Sequence, residues 1–188
     1  MEKNLNKKIE VYDDIVPKSL QDFFEMSILG THDNTQVITP IVGFKCKYEA
    51  SAPKEEGQQL SFVHVLNSPS YKSEFLPQFS LIAAFLTSRI GVVMADIPMA
   101  RIYIQPPSIH STKHYEPHVD SDIPHIVVLY YVNDADGDTY FFDDDGNTIK
   151  TVSPKKGRVA VFDGSIMHGG GVPKKGKRSV VNLNVVIR

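Results

Sequence analysis

Two segments of the chain carry apolar side chains at the three- and four-residue spacing that places them on one face of a helix. The first is KSLQDFFEMSIL, which stops at Gly30, and the second runs from Glu74 to Ile90 and is followed by Gly91. The apolar positions are Leu20, Phe23, Phe24 and Ile28 in the first segment, and Phe79, Ile82, Phe85, Leu86 and Ile90 in the second. We predict two helices whose apolar stripes belong to the core.

From Val92 onward the pattern changes to short runs of β-branched and aromatic residues, separated by Gly, Pro, Asn and Asp. The runs are VVMADIPMARIYIQ, HIVVLYYVN, DTYFFDDD, TIKTV, GRVAVFDG and RSVVNLNVVIR. Roughly six to eight strands without helices between them predict an antiparallel barrel or a double-sheet jelly roll. We expect the two helices to pack on the outside of one sheet.

Length and composition describe an ordinary globular protein. The chain has 188 residues, with 41% hydrophobic and 22% charged residues and a net charge of −2. We expect a single domain over residues 1–188, with helices and supporting strands in 1–91 and the jelly-roll core in 92–188. The charge balance gives no reason to expect a nucleic-acid partner or an anionic membrane surface.

The cysteine content and the N-terminus bear on the compartment. The one cysteine can form neither an internal disulfide nor a cysteine zinc cluster. The polar N-terminus, MEKNLNKKIEVYDD, lacks an apolar run of signal-peptide length, and stretches such as IVVLYYV are too short to span a bilayer. We therefore expect a cytoplasmic protein.

The octet HVDSDIPH, residues 118–125, concentrates groups that bind metals. In a strand, His118 and Asp120 would project from the same face, so that an imidazole and a carboxylate converge on one ion. His168, in FDGSIMHGGGV, is the candidate third ligand, and the glycines after it allow close approach of the backbone. Asp122 and His125 lie in or beside a loop, and we do not expect them to bind the metal.

Two histidines and one carboxylate leave coordination positions open, which is the arrangement of non-haem Fe(II) oxygenases. Zinc hydrolases also use this set of ligands, so the triad alone does not decide between them. Arg178 adds a second clue. Inside a barrel its guanidinium would need a carboxylate or phosphate partner, whereas in the basic run KKGKR it is equally well explained as a surface charge.

Taken together, these residues resemble the iron- and 2-oxoglutarate-dependent dioxygenases, in particular the prolyl-4-hydroxylase-like branch. The resemblance runs from about Met99 to Ile187, and its motifs occur in the order of the family. They are HVD at 118–120, IVVLYYVND at 126–134, GDTYFF at 137–142, PKKGRVAVFDG at 154–164 and HGGGVPKKGKRSVVNLNV at 168–185. The fold it implies is mainly β (α+β), a double-stranded β-helix (jelly-roll, cupin-like) barrel with N-terminal flanking helices.

The resemblance also implies roles for individual residues. His118, Asp120 and His168 would bind Fe(II), and Arg178 would pair with the distal carboxylate of 2-oxoglutarate. Three tyrosines complete the expected contacts with the cosubstrate. Tyr131 would donate a hydrogen bond to that carboxylate, Tyr103 would lie in the pocket wall, and Tyr115 is a weaker candidate. The reaction it implies uses O2, with ascorbate as an optional addition, and hydroxylates an unactivated C–H of a peptide or small-molecule substrate.

Part of the chain departs from this pattern. Arg178, Val180, Asn182 and Asn184 share one face of the last strand, and this face is rich in amides where many prolyl hydroxylases carry a bulky aromatic residue. The substrate class therefore stays open between peptides and small molecules. Two alternatives also stay open: a non-catalytic jelly-roll module that binds a metal or another ligand, and a cupin-like isomerase or hydrolase that uses Zn or Mn.

Overall fold

The computed structural model describes residues 8–32, 37–38, 40–52, 58–108 and 113–188. Both predicted helices are confirmed, as α1 (Lys18–Leu29) and α2 (Leu76–Ile90). Helix α2 begins two residues later than the apolar pattern predicts. Pro77 lies in its first turn, where its missing N–H costs no hydrogen bond. None of the described helices is long and apolar enough to cross a membrane.

The remaining elements are strands. In chain order they are β1 (Glu10–Tyr12), β2 (Thr31–His32), β3 (Val37–Ile38), β4 (Lys45–Ala52), β5 (Gln58–Ser68), β6 (Tyr71–Lys72), β7 (Met94–Gln105), β8 (His114–Tyr115), β9 (Ile126–Tyr131), β10 (Thr139–Phe142), β11 (Thr148–Val152), β12 (Val159–Asp163), β13 (His168–Gly170) and β14 (Arg178–Ile187). Eight of these strands, β7 to β14, lie in the described residues after position 92, which confirms the prediction of a strand-rich second half.

The strands form a large sheet and a small one. The large sheet has the order β1-β12-β9-β14-β7-β5-β4-β8, with β6 paired to β5, and the small sheet has the order β11-β10-β13. All the strand pairs are antiparallel, and β2 and β3 form a separate ribbon. The strands of the N-terminal half thus extend the sheet that the C-terminal half begins.

Strand β9 shows how the core is divided. All six of its side chains are buried, and they alternate between two apolar clusters. Val128 and Tyr130 face the cluster that contains the helices, where Phe24 contacts Phe79 and Tyr130 at ring-centroid distances of 5.1 and 5.7 Å. The helices therefore pack on the outer face of the large sheet, as the sequence predicted.

The second cluster lies between the two sheets. It combines side chains of the large sheet, among them Val127, Phe162 and Val180, with Phe141 and Val152 of the small sheet. Two antiparallel sheets that share an apolar interior, with helices outside, are the double-stranded β-helix expected from the sequence. The fold leaves the polar end of this interior open, and the candidate site lies there.

Candidate metal and cosubstrate site

A cavity of about 580 Å³ opens between the two sheets. One wall comes from alternate residues of two paired strands of the large sheet, Arg101, Tyr103 and Gln105 of β7 facing Asn182, Val180 and Arg178 of β14. Because successive side chains of a strand point to opposite faces, these six residues share the inner face. The opposite wall includes Thr139 of β10 and His168 of β13.

Three of the side chains in this cavity form a group suited to a metal ion. Nε2 of His118 lies 3.7 Å from one carboxylate oxygen of Asp120, and Nε2 of His168 lies 3.9 Å from the other. One ligand atom from each residue lies within 4.8 Å of the others. The tertiary structure thus brings His168 to the other two residues across 50 positions of sequence (168 − 118).

The backbone explains how the three residues meet, and it corrects the expectation that HVD is a strand. Only His118 is paired, in an isolated bridge with His168, through hydrogen bonds of 2.9 and 3.0 Å between their backbone groups. Asp120 lies in a bend after the bridge. The histidines are therefore cross-strand neighbours, and the turn of the chain after His118 brings in the carboxylate.

The tautomers of both histidines suit metal binding. Nδ1 of His118 lies 2.9 Å from the carbonyl oxygen of Glu116, and Nδ1 of His168 lies 3.0 Å from that of Ile166. A carbonyl only accepts, so each Nδ1 carries the hydrogen and each Nε2 keeps its lone pair. Burial lowers the pKa of His168, which favours the neutral imidazole that a metal requires.

The side chains around the triad hold it in place. His168 packs against Phe162 and Phe141, with ring centroids 4.8 and 6.5 Å away. Asn182 donates from its side-chain nitrogen to the Asp120 oxygen that faces His168, at 2.9 Å. The sequence placed Asn182 on the same face of the last strand as Arg178 but did not indicate this partner.

The glycines after His168 have the role that the sequence suggested. A Cβ on Gly169 would stand 2.8 Å from the carbonyl oxygen of Tyr115, so only glycine allows β13 to approach the chain segment before His118. A Cβ on Gly170 would stand 3.3 Å from a guanidinium nitrogen of Arg178. These glycines therefore bring the metal group and Arg178 into one cavity.

Arg178 is buried, with 2% of its surface exposed, which rules out the surface-charge explanation. Its guanidinium donates to the side-chain oxygens of Gln105 at 2.6 Å and Thr139 at 2.8 Å, and to the carbonyl oxygen of Gly137 at 2.9 Å. Within the described ranges, no carboxylate lies within 4.0 Å of it. Burial lowers the pKa of Arg178, yet a guanidinium stays protonated in proteins, so the cavity holds a cation without an anionic partner from these ranges.

The three tyrosines differ in their positions. Tyr103 and Tyr115 line the cavity, whereas the fully buried Tyr131 lies behind its wall. The Tyr131 hydroxyl is 2.6 Å from Oγ1 of Thr139, and its ring lies 5.7 Å from the Arg178 guanidinium. The hydroxyl of Thr139, the threonine of GDTYFF, therefore lies between Tyr131 and the cavity.

The other aspartate and histidine of the octet do not belong to this group. Asp122 is exposed, and His125 is buried with Nδ1 2.6 Å from the carbonyl oxygen of Ile123. In the part of the chain that the structure describes, His118, Asp120 and His168 are the one set of three such side chains close enough to share an ion.

Comparison with known families identifies the family of the segment that contains most of the residues lining this cavity. Residues 103–186 match the model of the 2OG-Fe(II) oxygenase superfamily. This segment belongs to that superfamily. The match includes the metal triad, Arg178, Thr139 and the three tyrosines, and it confirms the resemblance seen in the sequence.

Solved structures with the same fold match nearly the whole chain. A prolyl-4-hydroxylase from Pseudomonas putida has a TM-score of 0.57 at 12% identity, covering 98% of this chain and 95% of its own. A prolyl hydroxylase from Trichoplax adhaerens, in complex with a hypoxia inducible factor peptide fragment, has a TM-score of 0.63 at 11% identity and covers 97% of this chain and 85% of its own. The viral collagen prolyl hydroxylase of Paramecium Bursaria Chlorella virus-1 has 0.56 at 14%, covering 96% of each chain.

A comparison of the chain with curated proteins found no significant match. Residues 103–186 thus belong to a superfamily of Fe(II)- and 2-oxoglutarate-dependent enzymes that use O2, and the chain has the double-stranded β-helix fold of the prolyl-4-hydroxylase-like enzymes.

Proposed function

We propose that this oxygenase hydroxylates an unactivated C–H bond of a peptide or small-molecule substrate. In that reaction O2 and 2-oxoglutarate are consumed, one oxygen atom enters the substrate as a hydroxyl, and the other enters succinate as CO2 is released. The proposal depends on one observation: Arg178 is a buried cation that lines the same cavity as the triad.

His118, Asp120 and His168 would hold Fe(II) through the two Nε2 atoms and the carboxylate. Bound there with 2-oxoglutarate, iron supplies the O2 chemistry that no side chain of the cavity can provide. The residues of the chain orient and protect this group. Nδ1 hydrogen bonds fix both imidazoles, and the aromatic neighbours of His168 exclude water from its side of the site.

Arg178 would bind the distal carboxylate of 2-oxoglutarate. Its guanidinium is held by Gln105, Thr139 and Gly137, so little ordering is needed when the carboxylate arrives. Tyr131 would support the same carboxylate through Thr139. If the tyrosine donates to Oγ1 of Thr139, the threonine keeps its own hydrogen to donate into the cavity.

A peptide substrate is supported by the Trichoplax adhaerens relative, which is known in complex with a peptide fragment. A small-molecule substrate is supported by another enzyme of the same fold, the α-ketoglutarate-dependent epimerase SnoN from nogalamycin biosynthesis, with a TM-score of 0.65 at 10% identity, covering 97% of this chain and 79% of its own. The second candidate function, a module that binds the metal without turnover, predicts no affinity for 2-oxoglutarate.

Titration of 2-oxoglutarate into the Mn(II)-loaded protein without oxygen tests the proposed contact between Arg178 and the distal carboxylate, which we call the anchor. Calorimetry is expected to show binding to the wild type, and Arg178→Ala is expected to weaken it by about 10- to 100-fold, because a charge-assisted contact is lost. Arg89→Ala, which removes an exposed arginine at the end of α2, serves as the matched control and should bind like the wild type. Absence of 2-oxoglutarate binding in the wild type would support the non-catalytic module.

Two aspartates of the octet allow a test of the metal ligands with a matched control. Asp120→Asn is expected to abolish succinate release with Fe(II), ascorbate and 2-oxoglutarate, because an amide replaces the anionic ligand. Asp122→Asn changes an exposed carboxylate two residues away and should leave succinate release unchanged. Mass spectrometry for a gain of one oxygen in peptide and metabolite pools would then identify the substrate. Equal succinate release by both variants would contradict the assignment of Asp120.

A further inference from the structure

The cavity contains a second guanidinium, which neither the metal triad nor the proposed 2-oxoglutarate site uses. Arg101 lines the cavity from β7, on the face that also carries Tyr103 and Gln105. Its side chain is half-buried and contacts the sulfur of Met99 at 3.3 Å. Among the described residues, none provides Arg101 with a carboxylate within 4.0 Å. A cation in such a position favours an anionic ligand.

Strand pairing shows how far this cation is from the 2-oxoglutarate anchor. Gln105 pairs with Arg178 and Arg101 pairs with Asn182, so four residues of strand separate the two arginines, or about 13 Å between Cα positions. A five-carbon diacid with bonds of about 1.5 Å reaches only about 6 Å between its carboxyl carbons. The guanidiniums also lie on opposite sides of this gap, because that of Arg178 contacts its cross-strand neighbour Gln105 and that of Arg101 contacts Met99, which is farther from Gln105. One 2-oxoglutarate molecule at Arg178 therefore leaves Arg101 for another partner.

Arg101 is also at the end of the cavity where Asp120 lies. Its cross-strand neighbour Asn182 donates to the Asp120 carboxylate, which places this pair of strand positions beside the metal group. A molecule held by Arg101 would thus lie next to the metal, where the oxidised C–H bond must be.

The charges of the lining limit what this molecule can be. Arg101 and Arg178 are balanced by Glu116 and Asp120, and bound Fe(II) would be balanced by the 2-oxoglutarate dianion. The cavity then has no net positive charge to attract a polyanion. A planar guanidinium matches the two oxygens of a single carboxylate.

We propose that Arg101 binds a carboxylate of the primary substrate and selects for carboxylate-bearing substrates. This inference rests on the proposed function, because it assigns the substrate of the same site. The carboxylate has two sources, a free carboxylic acid such as an amino acid, and an acidic side chain of a peptide. Both present the same group to Arg101.

Paired probes that differ only in this group test the proposal. One pair is a pool of free L-amino acids and the same pool as carboxamides. The other is a pool of peptides with blocked ends that contain Asp and Glu, and the same peptides with Asn and Gln. Each pool is added to the Mn(II)- and 2-oxoglutarate-loaded protein without oxygen, and melting temperature is measured. With Fe(II) and O2, stimulated 2-oxoglutarate consumption is measured.

At least one acid pool is expected to raise the melting temperature and stimulate consumption, whereas its amide pool does neither. Arg101→Met should raise the concentration needed for half of the effect by about tenfold or more, because a charge-assisted contact is lost. Arg101→Lys should fall between that variant and the wild type, since it keeps the charge without the bidentate fork. Arg89→Met is the matched control and should behave like the wild type. A response confined to one acid pool identifies the source of the carboxylate.

Three results would overturn the inference: equal responses to acid and amide pools, no response to any acid pool, or an Arg101→Met variant that weakens 2-oxoglutarate binding as much as Arg178→Ala does. Loss of 2-oxoglutarate binding in the wild type would instead refute the proposed function. The two failures are therefore distinct.

Discussion

Thr139 connects the residues that surround the buried Arg178 cation. Its single side-chain oxygen accepts a hydrogen bond from the guanidinium at 2.8 Å and lies 2.6 Å from the Tyr131 hydroxyl. Thr139 is itself buried, with 1% of its surface exposed. Thr139 thus links Arg178 to Tyr131 through one hydroxyl, while Gln105 and Gly137 also hold the guanidinium.

Thr139→Val is therefore expected to disturb the anchor more than Tyr131→Phe. Valine keeps the shape of threonine but leaves a buried N–H of Arg178 without its acceptor, at a cost of about 1–3 kcal/mol in unfolding free energy. Phenylalanine removes the tyrosine hydroxyl and leaves the contact between Arg178 and Thr139 intact, at a cost of about 1 kcal/mol. Chemical denaturation gives both values, and 2-oxoglutarate titration should show the larger loss of affinity in Thr139→Val. A larger effect of Tyr131→Phe would mean that the tyrosine contacts the cosubstrate directly.

Asn182 is expected to act as a positioning residue for Asp120. Asn182→Ala removes the hydrogen bond that orients the carboxylate, and metal affinity should fall by about tenfold or more, because groups that orient metal ligands contribute at this level. Titration of Mn(II) measures the change. Asn147→Ala, in an exposed turn, controls for the loss of an asparagine. A lower melting temperature of the metal-free Asn182→Ala protein with unchanged Mn(II) affinity would show a structural role only.

At the scale of elements, ion pairs attach the segment before α1 to the turn before β12. Asp13 accepts hydrogen bonds from the Arg158 guanidinium at 2.8 and 3.0 Å and from Lys155 at 3.0 Å. Lys156 donates to Asp22 and Glu25 of α1, both at 2.6 Å. These contacts fix α1 against the sheet through residues on a single turn.

The Asp13 contacts predict a pH dependence of stability. Its hydrogen bond with Arg158 is the main cause that lowers the pKa of Asp13 from 3.8 to about 2. A carboxylate whose folded pKa is lowered stabilises the protein above its unfolded pKa, and this contribution is lost as pH falls from about 4 towards 2. Asp13→Asn should lower the unfolding free energy by about 1 kcal/mol at neutral pH, a value reduced for solvent screening.

Urea denaturation across the pH range checks this prediction. The difference between the wild type and Asp13→Asn is expected to shrink in acid, because protonation removes the same charge. Asp14→Asn is the neighbouring control and should show little change. A difference that is constant with pH would mean that Asp13 acts through packing rather than charge.

At the scale of the whole molecule, the site joins the two sheets. Arg178 of the large sheet donates to Thr139 of the small sheet, and the triad includes His168 of the small sheet and an Asp120 that is bonded to Asn182 of the large sheet. A metal ion and 2-oxoglutarate would therefore bind side chains from both sheets at once. Their binding should oppose separation of the sheets.

Mn(II) and 2-oxoglutarate together are thus expected to stabilise the whole fold. At a 2-oxoglutarate concentration of about 100 times its Kd, binding adds about 2.7 kcal/mol, which raises Tm by about 5–10 °C for a domain of this size. Calorimetric scans with and without both ligands measure the shift. Arg178→Ala should lose most of the part due to 2-oxoglutarate and keep the part due to Mn(II). Equal Tm shifts in the wild type and in Arg178→Ala would show that Arg178 does not bind the cosubstrate.

The sequence by itself determined the elements and the chemistry of the site. Helical spacing predicted α1 and α2, and short runs of β-branched and aromatic residues predicted the strands of the second half. The types and spacing of His118, Asp120 and His168 indicated a metal site, and the resemblance of the surrounding motifs to the oxygenase family implied iron. These properties depend on local spacing and on the chemistry of each side chain, and both can be read along the chain.

Only the tertiary structure decided which side chains meet. It paired His118 with His168 where a continuous strand through Asp120 was expected, placed Thr139 between Tyr131 and the cavity, and left Arg101 facing that cavity without a carboxylate from the described residues. The physical reason is that contacts between distant segments depend on the register and packing of the two sheets. Local spacing shows which face of a strand a residue is on, but it does not show which residue of a distant segment lies opposite.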